Sequence, residues 1–147
     1  MWLLRAIVGL LSLQFLLGIW VNLYGSFPAT SDVQVAFTYG GDPGLTGHYI
    51  LAAVLVVLAV TIVLAAFRSG FPARLRWLTL GGLLSVLWAS ISGVEFILSG
   101  FTDNSVSFSM AFAFIVAMTF YGLAQAAVLP RAPVASRSEG EAPSPQS

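Results

Sequence analysis

The residues most able to do chemistry in this chain are a single histidine, His48, and a carboxylate, Glu95, that lies within an apolar stretch. A carboxylate at mid-membrane costs about 2.5 to 3.5 kcal/mol on insertion scales, so such residues usually face the interior of a helix bundle. His48 and Glu95 therefore predict a proton, ligand or cofactor site. The structural alternative is that the two side chains satisfy each other, or that His48 bonds to loop carbonyls at the membrane interface.

Other catalytic chemistries lack the residues they need. The chain has no cysteine, which excludes disulfides, thiolate metal sites and a cysteine nucleophile. A zinc site needs three or four ligands, but only one histidine and one glutamate lie in the apolar stretches. The sequence contains neither a G-x-S-x-G nucleophile motif nor a P-loop. We therefore predict no catalytic residue and no metal site, and we favour a protein that is not an enzyme.

Composition identifies the class of structure that must position these residues. The chain of 147 residues is 58% hydrophobic and 8% charged, whereas an ordinary soluble domain carries roughly a quarter charged residues. Such a composition excludes a water-soluble globule. The formal net charge of zero, without a basic cluster, also argues against a nucleic-acid partner, which needs a cationic surface.

Four apolar stretches are long enough to span a membrane, which takes about 20 residues of helix. Backbone groups in lipid must pair within their own segment, so these stretches predict an all-α fold, a four-transmembrane-helix bundle. The predicted spans are 6–24, 48–67, 77–98 and 106–129. Together they form one transmembrane domain, 1–129, and the segment 130–147, rich in Pro and Ser, is predicted to be a disordered cytoplasmic tail.

The arginines predict the orientation, because short cytoplasmic loops are enriched in Lys and Arg. All six arginines fall on one side of the predicted bundle: Arg5, Arg68, Arg74, Arg76, Arg131 and Arg137. The charges in the opposite loops are Asp32, Asp42 and Asp103. We expect a multi-pass protein of the inner (plasma) membrane with both termini in the cytoplasm. The first apolar run is longer than the 7 to 15 residues or so of a signal peptide, so we expect it to be retained.

This topology brings four polar residues to one depth near the outer surface: Asn22, His48, Glu95 and Ser107. We predict that they form a polar cluster in the outer leaflet. Small and polar residues also let membrane helices pack closely and bond to each other. The alternative interpretation is therefore structural: these four residues serve only to pack the helices together.

Two further patterns concern architecture. The sequence GLLS occurs at 9–12 and again at 82–85, which predicts the duplication of one helical hairpin. In the outer loop, residues 33–39 (VQVAFTY) are rich in strand-forming types and precede a turn rich in Gly and Pro. This pattern predicts either a short extended cap over the bundle or an exposed loop.

The segments LQFLLG at 13–18 and GHYILA at 47–52 resemble the sequences that begin helices in haem A synthase halves and in other small four-helix bacterial membrane proteins. The resemblance covers the first two spans. It implies haem b as a cofactor, with histidine as its axial ligand. The family pattern has two histidines on different helices, whereas this chain has one. The ligands would then be His48 with Met110, His48 alone, or His48 from two protomers.

These observations leave three functions open. The first is a non-enzymatic accessory or structural membrane protein that contacts lipid and binds a partner membrane subunit or a second copy of itself. The second is a b-type haem redox protein that uses His48. The third is a proton-coupled transporter or channel in which Glu95 titrates. We favour the first, because polar residues within the spans are few and the second span is apolar all round.

Overall fold

The described part of the chain is entirely helical apart from its loops. The structure, a computed structural model, describes residues 2–129, and the predicted tail, 130–147, lies outside the described residues. The helices are α1 (Trp2–Tyr24), α2 (Val33–Thr38), α3 (Pro43–Arg68), α4 (Ala73–Leu98) and α5 (Asn104–Val128). All but α2 are long and apolar enough to cross a membrane.

The four long helices pack as a ring in the order α1, α3, α4, α5, with α5 closing back onto α1. Neighbours run antiparallel: Gly18 of α1 lies beside His48 of α3, while Gly44, earlier in α3, lies beside Val21, later in α1. The all-α four-helix bundle predicted from the sequence is confirmed. The outer surface of this ring carries large exposed apolar side chains on every helix, as a surface that faces lipid would.

The aspartates of the loops begin the helices. Asp42 caps α3 by accepting the Leu45 N–H, and Asp103 caps α5 by accepting the N–H groups of Ser105 and Val106. A capping carboxylate satisfies N–H groups that the helix itself leaves unpaired. As a result α3 begins at Pro43 and α5 at Asn104, a little before the apolar runs from which their spans were predicted.

The extended cap predicted for residues 33–39 is wrong, because Val33–Thr38 forms the short helix α2. Asp32 decides the conformation by accepting hydrogen bonds from the backbone N–H groups of Gln34 and Val35, 2.8 and 3.1 Å away. This N-cap outweighs the strand preference of the Val and Phe residues. Ala36 is fully buried, so α2 nevertheless covers part of the bundle.

Asp42 should make stability depend on pH. Hydrogen bonds from the backbone N–H groups of Ser26, at 2.7 Å, and then of Leu45 hold the pKa of this carboxyl below its usual value. A lowered folded-state pKa stabilises the fold above the unfolded pKa of about 3.9, and this contribution disappears as the pH falls through the folded-state value. We expect Asp42→Ala to lower the melting temperature at pH 7, and the difference from wild type to narrow as the pH falls through the lowered pKa of Asp42.

Thermal unfolding in mild detergent, followed by circular dichroism between pH 7 and pH 3, measures this difference. Asp42→Asn is the matched control, since an asparagine caps a helix without a titrating charge and should lose less stability on acidification. A gap between wild type and Asp42→Ala that does not narrow at any pH down to the acid unfolding of the protein would contradict the assignment.

The tightly packed core occupies one half of the bundle, the half that holds the start of α1 and the end of α5. It contains Leu4, Ile7, Leu11, Leu55, Ala59, Ile62, Leu75, Val86, Ala117, Tyr121 and Ala124. Arg5, Arg68, Arg74 and Arg76 lie at this same end of the described helices. The loop aspartates lie at the other end, where the packing is different.

Glycines bring α4 and α5 together in the packed half. A Cβ added at Gly82 would lie 2.6 Å from the Tyr121 ring, and one added at Gly81 would lie 2.7 Å from the Phe120 ring. Tyr121 is fully buried, so its ring has little room to move. The two glycines are therefore required by the close approach of these aromatic rings.

The two GLLS segments occupy different environments. Gly82 and Ser85 are buried, whereas Gly9 and Ser12 are exposed. Continuing the gapless alignment pairs the buried Gln14 of α1 with the exposed Leu87 of α4. The alignment therefore does not match the buried face of α1 to the buried face of α4, and the duplication of a hairpin stays a prediction without structural support.

Candidate functional site

The half of the bundle beyond the packed core contains a cavity of about 500 Å³, which the core residues Leu11, Leu55, Val86 and Ala117 also border. All five helices contribute to its wall, which is mostly aliphatic and aromatic. The phenylalanines among the lining residues are Phe15, Phe27, Phe37, Phe96, Phe101 and Phe114. No arginine, lysine, aspartate or glutamate is among the lining residues of the described chain. A concave apolar site with a few polar groups is the usual form of a small-molecule binding site.

Gln14 and His48 form the main polar contact in this cavity. The Gln14 side-chain nitrogen Nε2 donates to the backbone carbonyl of His48 at 3.2 Å, and it lies 3.3 Å from the His48 ring nitrogen Nε2. A carbonyl can only accept, so the amide hydrogens must face His48. The ring Nε2 then accepts the second amide hydrogen, and the imidazole proton resides on Nδ1.

Three buried polar atoms of this region have no hydrogen-bond partner within residues 2–129. They are Oε1 of Gln14, Nδ1 of His48 and the hydroxyl of Tyr49. All three residues line the cavity. By the hydrogen positions derived above, these residues beside the cavity carry one unpaired acceptor, one unpaired N–H donor and one unpaired hydroxyl that can do either. Leaving such groups unpaired in an apolar site costs about 1 to 3 kcal/mol each.

Gly18 makes room for the histidine. A Cβ at this position would lie 3.1 Å from Cε1 and 3.7 Å from Nδ1 of His48. The Cε1 corner of the ring therefore lies closest to the backbone of α1. Gln14 and Gly18 are one helical turn apart, which places both beside the same imidazole.

A cluster of three phenylalanines covers the end of the cavity near the loops. Phe27 stacks on Phe101 with ring centroids 4.8 Å apart, and Phe96 meets both rings edge-on. Phe101 has a φ of 63°, in the left-handed region, directly after Gly100. Such a backbone costs a residue with a side chain about 1 to 3 kcal/mol. The turn is held by the Phe101 N–H, which donates to the Phe96 carbonyl at 2.9 Å.

The structure brings together four of the residues singled out in the sequence. His48, Asn22, Ser107 and Met110 all line the cavity, and Asn22 is also exposed. Met110 was expected only as a haem ligand; its sulfur would lie 3.6 Å from a Cβ added at Gly93 of α4. Within the described chain, no group of three or more Asp, Glu, His or Cys residues could hold a metal ion.

Glu95 does not join this group. Its side chain is exposed and is not among the residues that line the cavity. The structural alternative, in which His48 and Glu95 satisfy each other, is therefore not observed. His48 bonds to Gln14 instead. The reason is the rotation of α4, which buries Ser92 and Phe96 and leaves Glu95 on the outward side between them.

Sequence reasoning missed Gln14 and Tyr49 as members of the site. The usable signal was the spacing of Gln14 and Gly18 on one face of α1, at a depth close to that of His48. No known protein family, no curated protein and no solved structure matches this chain.

Proposed function

We propose that this protein is a non-enzymatic, multi-pass membrane protein that holds a small neutral apolar molecule in the cavity between its helices. The observation that carries the proposal is the cavity itself, about 500 Å³ in volume and lined by no charged side chain of residues 2–129. Pockets of this kind bury most of a ligand's surface. An apolar molecule of matching size that enters from the lipid would gain van der Waals contacts with this wall and needs no charged contact.

The orientation of the bundle is part of the proposal. Arg5, Arg68, Arg74 and Arg76 lie at one end of the described helices, and Asp32, Asp42 and Asp103 lie at the other. The preference of arginine for the cytoplasmic side then places the cavity in the outer half of the inner membrane. We expect a phosphatase reporter inserted near Asp42 to be active in the periplasm and one fused after Ser147 to be inactive. The reverse pattern would invert the topology.

Haem b is a second candidate, because His48 and Met110 line one cavity. In this conformation, however, Nε2 of His48 accepts from Gln14, and Nδ1 carries the imidazole proton, so neither ring nitrogen has a free lone pair. An axial ligand needs a free lone pair aimed at the iron, so haem does not fit the histidine as it is placed. A dithionite-reduced spectrum decides between the two: a Soret band lost in His48→Ala would favour haem over the neutral ligand.

Photolabelling tests the proposed function. The protein would be placed in lipid nanodiscs and irradiated with a neutral aryl diazirine, and the labelled residues would be mapped by mass spectrometry. We expect label on Phe96 and Ile97, which line the cavity although they are 9% and 2% exposed. Ile7 and Ile62 are the matched controls, since they are likewise buried, but in the packed half, and do not line the cavity.

Label restricted to lipid-exposed side chains would overturn the proposal, because an accessible cavity must admit a probe that is dissolved in the surrounding lipid. Label on Ile7 and Ile62 as well would also overturn it, since it would show a bundle that opens everywhere.

A further inference from the structure

We propose that the bound molecule belongs to the quinone and quinol class: a flat neutral ring with carbonyl or hydroxyl groups, docked on Gln14, His48 and Tyr49. The inference rests on the proposed function, because it names the chemistry of the ligand in that same cavity. Its basis is the juxtaposition of three unpaired polar atoms with a wall that is mostly apolar and includes six phenylalanines.

The polar atoms define the head group. The His48 Nδ1–H is an unpaired donor and matches a carbonyl oxygen, while Oε1 of Gln14 is an unpaired acceptor and matches a hydroxyl. The Tyr49 hydroxyl can serve either partner. A quinone offers two carbonyls and its quinol offers two hydroxyls. The site can therefore bond to either form without a change in the charge of the protein.

The lack of charge in the wall excludes ionised head groups. Carboxylates and phosphates buried without a cation would pay a large desolvation cost. No arginine or lysine of the described chain lines the cavity, and the described arginines lie at the far end of the bundle. Fatty acids and phospholipid head groups are therefore poor occupants, whereas a neutral ring with two oxygens fits.

The aromatic side chains favour a flat ring over an aliphatic one. Phe15 of α1 and Phe114 of α5 stack with centroids 5.5 Å apart in the wall. Phe27, Phe96 and Phe101 close the end near the loops. Offset-stacked and edge-on arrangements of aromatic rings are worth about 0.5 to 1.5 kcal/mol beyond their area, so a planar ring gains contacts that a saturated one lacks.

The cavity also has room for a tail to leave. Its lining includes Ile19, Leu23 and Val94, which are exposed on the outer surface of the bundle. A ligand bound by its ring at Gln14 and His48 can therefore extend an apolar chain between the helices into lipid. Lipid-soluble quinones have this shape, a polar ring attached to an apolar tail.

Equilibrium dialysis between protein-loaded and empty nanodiscs tests the inference with a matched pair of probes. The first probe is 2-methyl-1,4-naphthoquinone, and the second is 2-methylnaphthalene, which has the same ring and methyl group but no oxygen. Empty nanodiscs correct for partition into lipid. The chain contains no cysteine, so the quinone cannot form a thiol adduct that imitates binding.

We expect the quinone to bind at least about 10-fold more tightly than the hydrocarbon, which corresponds to one or two added hydrogen bonds. Gln14→Leu and Tyr49→Phe should each reduce that preference severalfold while hydrocarbon binding is kept. Gln34→Leu, at an exposed position of α2, should leave the preference unchanged. Tyr49→Phe removes a single oxygen, so it keeps the test valid even if Gln14→Leu fails to fold.

The outcomes separate this inference from the proposed function. Equal binding of the two probes, or a preference that survives both site variants, would overturn the quinone assignment and leave a site for apolar molecules. Saturable binding of neither probe would overturn both proposals. If Gln34→Leu abolishes the preference for the quinone as fully as the site variants do, the loss reflects general loss of structure, and the quinone assignment is overturned.

Discussion

Replacing Gly82 by alanine should lower the free energy of unfolding by about 1 to 3 kcal/mol, the usual cost of overpacking. The added Cβ would lie 2.6 Å from both Cε2 and Cζ of Tyr121. Tyr121 is fully buried, so the clash must be relieved by moving α4 away from α5. Unfolding in mixed detergent micelles, followed by circular dichroism, measures the change.

The first GLLS segment supplies a control with the same local sequence. Gly9→Ala places a Cβ where no heavy atom lies within 4 Å. Alanine is the better helix former by roughly 1 kcal/mol, so this variant should be neutral or slightly more stable. Equal losses in Gly9→Ala and Gly82→Ala would contradict the packing described for α4 and α5.

Filling the cavity should abolish ligand binding without unfolding the protein. Ala111 of α5 lines the cavity, and in Ala111→Phe a phenyl ring would occupy the space. A ligand that binds the folded state raises its stability by mass action, by about 2.7 kcal/mol at a concentration of 100 times Kd. We expect 2-methylnaphthalene to raise the melting temperature of wild type and to leave that of Ala111→Phe nearly unchanged.

Ala126→Phe is the matched control, because Ala126 lies on the same helix, is exposed and does not line the cavity. This variant should keep the full rise in melting temperature. If the rise is the same in Ala111→Phe and Ala126→Phe, the probe acts through the detergent or the helix surfaces, and the cavity is not its site.

The number of long helices and the fold class could be predicted because length and hydropathy alone decide them. Their starts were less predictable, since Asp42 and Asp103 begin the helices by capping N–H groups ahead of the apolar runs. The helix α2 could have been found from Asp32, which is a good N-cap, but strand propensities were given more weight.

The membership of the site could be predicted only in part, because depth in the membrane follows from sequence but rotation about the helix axis does not. His48, Asn22 and Ser107 share a depth and also face the cavity. Glu95 was assigned a similar depth, yet the packing of Ser92 and Phe96 turns it outward. Hydropathy could not reveal this, because α4 is apolar on its outward face as well as on its inward face.

The two halves of the bundle are packed for different purposes. In one half, glycines and alanines bring the helices close and bury Tyr121. In the other, phenylalanines and the pair Gln14 and His48 surround an open volume. A closely packed half beside a hollow half is the arrangement that the proposed binding site requires.

The central claim is that the cavity binds a small apolar molecule. A nuclear magnetic resonance experiment that follows the methionine methyl groups as such a molecule is added tests this claim most directly. Of the three methionines in the chain, Met110 lines the cavity, whereas Met118 packs against the core in the other half. In protein labelled with 13C at the methionine methyls, 2-methylnaphthalene should shift the Met110 resonance saturably and leave that of Met118 in place, with Met110→Leu providing the assignment. Shifts of both resonances that grow linearly with the probe, or no shift of Met110, would contradict a ligand site in this cavity.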